Sequence, residues 1–98
     1  MDSPIDHWRD QIDEIDRLLV ELLNKRAHCA DEIGKIKERL GMPAYSPKRE
    51  HEVLDNIMNH NNGPLSDMAL RRLFERIIDE SRKLEREAMI ARQASGRK

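Results

Sequence analysis

The first forty residues carry the apolar pattern of a single helix that one chain of this size cannot cover by itself. Apolar residues recur at Ile5, Trp8, Ile12, Ile15, Leu19 and Leu22, and again at Cys29, Ile33, Ile36 and Leu40. Steps of three and four alternate, which is the spacing of a heptad seam. Ser3 is placed to cap the helix, and Pro4 suits a first turn where no backbone N–H is needed. Gly34 is the one weak helix former of note inside the run, and Gly41 with Pro43 ends it. A helix over about residues 5–40 is roughly 50 Å long. A compact domain of 98 residues has a radius of gyration of about 13 Å. The seam therefore predicts a partner, most simply a second copy related by a two-fold axis.

Two further helices follow. Ser46 and Pro47 open the second, over about 47–60, with Val53, Leu54, Ile57 and Met58 on its apolar face. The stretch from Asn59 to Pro64 is rich in turn formers. Ser66 opens the third, over about 66–92, which carries Leu70, Leu73, Phe74, Ile77, Ile78, Leu84 and Ala88. The tail 93–98 has no apolar pattern and is expected to fray. Only Trp8, Tyr45 and Phe74 are aromatic, which suits helices better than a β-sandwich. The expected fold is all-α: three helices, long, short and long, in one domain over 1–98 that forms an intertwined homodimer.

Eighteen basic residues stand against nineteen acidic ones. With no net field, nucleic acid and membrane surfaces are unfavoured partners. A single cysteine excludes an internal disulfide, and no apolar run reaches the length of a signal or membrane segment. A cytoplasmic protein is the natural expectation.

The apolar faces are interrupted by polar residues. Continuing the first seam from Leu22 by four gives Arg26, and a guanidinium in a core costs several kcal/mol unless an anion meets it. That anion is either a carboxylate of another helix or a ligand. Lys37 lies about 16 Å further along the axis, and Arg9 about 25 Å back, out of reach within one helix. An antiparallel copy would bring Arg9 in from the partner. On the second helix Glu50 shares a face with Leu54 and Ile57, and Arg49 lies beside Val53. On the third, Ser81 falls on the stripe of Leu70, Phe74, Ile77 and Leu84, with Glu85 one turn on. Each alone reads as a surface ion pair or a tolerated polar residue. Together they describe a bundle whose interior holds a small dianion.

The segments WRDQIDEIDRLLVELLNKRAHCADEIGKIK (from Trp8), GMPAYSPKREHEVL (from Gly41) and LRRLFERIIDESRKLE (from Leu70) resemble the three helices of the all-helical chorismate mutase family of bacterial type. The resemblance spans roughly Ile5 to Ala91. It implies rearrangement of chorismate to prephenate, in aromatic amino-acid biosynthesis, without cofactor or metal. It implies that Arg26, the partner's Arg9 and Arg49 hold substrate carboxylates, with Ser81 assisting. It further implies that Lys37 donates to the ether oxygen of the breaking bond, that Glu85 is the second donor there, and that Glu50 accepts from the ring hydroxyl. Two positions depart from the commonest pattern. Ser46 stands where many members have aspartate, which keeps the cap and removes a charge. Glu85 stands where some have glutamine, and a glutamate donates only when protonated.

The four histidines are scattered and read as surface residues; Cys29 reads as a small buried residue on the seam. Three alternatives stay open: an isochorismate-pyruvate lyase of the same fold, a non-catalytic domain that senses a related ligand, and a plain coiled-coil scaffold.

Overall fold

The computed structural model describes residues 3–96. Three helices make up the chain in the order α1 (Pro4–Leu40), α2 (Pro47–His60) and α3 (Asp67–Gly96). Their ends are set by local chemistry. The Ser3 hydroxyl accepts from the Asp6 N–H while the Asp6 carboxylate accepts from the Ser3 N–H, a reciprocal capping box. Gly41, at φ 68°, takes the left-handed conformation that closes α1, and its N–H bonds to Glu38. The Ser46 and Ser66 hydroxyls accept from the N–H groups of Arg49 and Ala69, capping α2 and α3. Asn61 organises the α2–α3 turn, its amide donating to the Leu65 carbonyl and the Asp67 carboxylate.

The expected tail is shorter than the sequence pattern implies. Residues 93–96, expected to fray, continue α3. Just before them the Arg92 guanidinium reaches α1 and bonds Glu38 at 2.7 Å, with Asp31 at 3.9 Å. This cross-helix pair ties the C-terminal part of α3 to α1, three residues after half-buried Met89. Positions 97 and 98 lie outside the described residues.

Helices α1 and α2 each pack on α3. The half-buried face of α3 runs through Leu70, Phe74, Ile77, Ile78, Ser81, Arg82, Glu85, Ala88 and Met89. Against it lie Val53, Leu54, Ile57 and Met58 of α2, and Arg26, Ala27, Ala30, Asp31, Gly34 and Lys37 of α1. Most of the heptad seam of α1 is thus left uncovered by α3; Arg26 is the seam position that faces it, and Ile33 borders the cleft. Trp8 is 66% exposed, Ile12 54% and Leu19 49%, and Ile33, Ile36 and Leu40 are bare as well. Cys29, expected to be buried, is exposed for the same reason.

Leu54 is the one hydrophobic side chain buried among the described residues. The chain measures 63 × 31 × 15 Å with a radius of gyration of 17.8 Å, against about 13 Å for a compact domain of this length. Its accessible surface is 8351 Å², whereas a folded monomer of this mass exposes about 5,800 Å². The surplus, roughly 2,500 Å² per chain, is the scale of an obligate interface.

Candidate active site

Where the three helices converge, a cleft of about 260 Å³ opens between the C-terminal half of α1, the N-terminal turns of α2 and the middle of α3. Seven of the eight site residues expected from sequence line it: Arg26, Lys37, Ser46, Arg49, Glu50, Ser81 and Glu85. The eighth, Arg9, is on the far half of α1, exposed, and paired with Asp6 at 3.8 Å. Ile33, Val53 and Ile78 form the apolar part of the wall.

Helical periodicity delivers these groups. Arg26, Ala30 and Lys37 recur on the side of α1 that faces α3, and Ser81 and Glu85 are one turn apart on α3. Beside them Gly34 faces the Glu85 side chain, which a Cβ at this position would meet at 3.6 Å, an ordinary contact distance.

The cations are held by neutral groups. The Arg26 guanidinium donates to the Ser81 hydroxyl at 3.4 Å, and the Lys37 ammonium to the Ala44 carbonyl at 3.3 Å. Among the described residues neither has a carboxylate partner. The internal salt bridge considered for Arg26 is therefore not what compensates it. Arg49 meets Glu52 at 3.5 Å on the exposed rim. Ser46 uses its oxygen as the α2 cap and keeps its hydroxyl proton for another acceptor.

Burial raises the Glu85 carboxyl above its ordinary pKa, and nearby Asp31 adds to the effect; Lys37, Arg82 and Arg26 pull the other way without reversing it. The cleft holds Arg26, Lys37, Arg49 and Arg82 against Glu50 and Glu85. With Glu85 protonated, the surplus of positive charge suits a small molecule with two negative charges.

Two lining residues were missed by sequence reasoning. Arg82 donates to the Glu50 carboxylate and stacks over the Tyr45 ring, 4.4 Å from its centroid. The signal was present: Ile78, Arg82, Glu85, Met89 and Arg92 repeat at steps of four and three, a second inward stripe beside that of Ser81. Tyr45, a lone aromatic in a short loop, carried no such pattern.

The family model described as chorismate mutase type II matches residues 8–86. The chain belongs to this family. It is 41% identical over 83 residues to a bifunctional chorismate mutase/prephenate dehydratase of Neisseria gonorrhoeae, covering 85% of this chain and 22% of that protein. The chain thus spans under a quarter of the length of that bifunctional relative. Among solved structures, a chorismate mutase of Thermus thermophilus superposes with a TM-score of 0.84 at 37% identity, covering 86% of this chain and 96% of the other. A Helicobacter pylori chorismate mutase in complex with prephenate superposes with a TM-score of 0.81 at 33% identity, covering 90% and 96%. The all-α fold read from sequence is the fold of these family members. Within the described residues no helix is long and apolar enough to cross a membrane.

Proposed function

We propose that the chain catalyses the rearrangement of chorismate to prephenate as a cytoplasmic homodimer, supplying aromatic amino-acid synthesis. The observation that carries this reading is one cleft in which Arg26 and Lys37, from the same helix, lack carboxylate partners among the described residues and face Glu50, Ser81 and Glu85. A doubly charged guest fits such a site.

The reaction is an intramolecular exchange of a carbon–oxygen bond for a carbon–carbon bond, so the chain's residues need supply neither nucleophile nor base. Two contributions remain. Arg26, Arg49, Ser81 and the second protomer's copy of Arg9 grip the two carboxylates and select the folded conformer of the enolpyruvyl side chain. Lys37 and protonated Glu85 donate to the ether oxygen, where negative charge develops as the bond breaks. Glu50 accepts from the ring hydroxyl, and Ser46 has a proton to offer near the same end. Arg9 enters in trans because it lies too far from Arg26 along α1 to join the site of its own chain.

The pH dependence follows from Glu85. Its raised pKa keeps the proton in place at a pH where an exposed carboxyl has lost it. As pH rises through that pKa, the site loses a donor and gains a negative charge beside an oxygen that is itself becoming negative. Turnover is expected to fall about tenfold per pH unit on this limb. A bound dianion favours the protonated form, so the limb in kcat lies at higher pH than that in kcat/KM. Glu85→Gln donates at every pH and flattens it. If the variant keeps the wild-type limb, another group titrates.

The test of the function is direct: loss of chorismate absorbance with prephenate as product. A lyase of the same fold would instead release pyruvate from isochorismate, and a non-catalytic domain would bind without turnover.

A further inference from the structure

The unexpected residue in the cleft is Arg82. Its side chain is 35% exposed and that of Glu50 26%, so the pair sits partly out of water. The guanidinium donates to Glu50 on α2 and sits over the ring of Tyr45, in the loop just before the α2 cap. One residue therefore ties α3 to both α2 and the α1–α2 loop.

The consequence lies in where Glu50 would go without it. The cleft also contains Arg26, Lys37 and Arg49. A half-buried carboxylate in such company pairs with whichever cation is nearest, because an unpaired charge in a partly dry site is costly. Arg26 and Lys37 are held only by a hydroxyl and a backbone carbonyl, weak partners that an anion readily displaces. A released Glu50 would displace them as a substrate carboxylate does, and would compete with it.

We infer that Arg82 is a positioning residue that acts through Glu50: it holds the carboxylate aside, so that Arg26 and Lys37 stay free for the dianion. Tyr45 supports it by holding the guanidinium over its ring as a cation on an aromatic face. The inference rests on the proposed mutase reading and deepens it.

The test is a double-mutant cycle read as KM for chorismate. Arg82→Gln is expected to raise KM about tenfold with a smaller change in kcat, because the competition is against substrate entering the site. In a Glu50→Gln background no carboxylate remains to collapse inward, and the same substitution is expected to change KM by less than about twofold. Arg82→Lys keeps the charge and recovers most of the lost affinity. Helix content and dimer mass are compared across the set. Should Arg82→Gln fail to fold, Tyr45→Leu at the half-exposed loop position gives the same cycle, with an expected rise of about threefold that Glu50→Gln abolishes. Equal effects in both backgrounds, or no effect in the first, overturn the inference while leaving the mutase reading intact. Wild-type protein that leaves chorismate unchanged overturns the mutase reading, and the inference with it.

Discussion

Lys37→Ala is expected to lower kcat for chorismate by about 10²–10³-fold, the usual loss when one donor to a developing oxyanion is removed. The ammonium donates to the Ala44 carbonyl. A neutral acceptor holds it in place without consuming its charge, and a substrate oxygen can replace that acceptor at little cost. Lys37 is also the cation that pulls hardest against the raised pKa of Glu85. Its removal leaves the carboxyl protonated to a higher pH, so the residual activity should persist further into the alkaline range than that of wild type. The substitution removes no buried apolar contact, and folding should be preserved. Stopped-assay rates, with circular dichroism as a control, separate the outcomes. A variant within tenfold of wild type would mean that charge at the ether oxygen is not supplied from this position.

The second large effect concerns the seam of α1. Leu19→Asp is expected to abolish the dimer and, with it, most of the helical signal. Among the described residues Leu54 is the one buried hydrophobic side chain and the face from Ile5 to Leu22 is bare, so in the proposed dimer the partner supplies its cover. An aspartate in the middle of a two-fold interface is met by its own symmetry copy nearby, so desolvation and like-charge repulsion add. Folding and association are then one event, and the melting temperature of wild type should rise with protein concentration. Sedimentation and thermal unfolding check both statements. A Leu19→Asp chain that stays dimeric and melts like wild type would place the interface elsewhere.

The long helices were legible because their ends are punctuated. Ser3–Pro4, Gly41, Ser46–Pro47 and Ser66 each perform the capping expected of them. The site was legible because polar residues interrupted otherwise apolar stripes, at Arg26 on α1, Glu50 on α2 and Ser81 on α3. Pairing was not legible. Nothing in the spacing of Arg26 distinguishes a bond to a carboxylate from the observed bond to Ser81. Arg82 was passed over because in the run Glu80–Ser81–Arg82–Lys83 it reads as one more surface charge, although it falls on the stripe with Ile78, Glu85 and Met89; its partners Glu50 and Tyr45 became visible only in the structure. Fraying was expected from residue 93 because no apolar pattern continues there, but α3 runs on to Gly96.

The proposed crossing of Arg9 completes each site from two protomers. It is tested most directly by mixing two inactive variants, Arg9→Ala and Lys37→Ala, after joint unfolding and refolding. Random pairing makes half of the dimers mixed, and each mixed dimer has one site with Lys37 and the partner's Arg9 both present. Activity is expected to rise to about a quarter of the wild-type value. A mixture that stays at the average of its two inactive parents would show that Arg9 does not act across the interface.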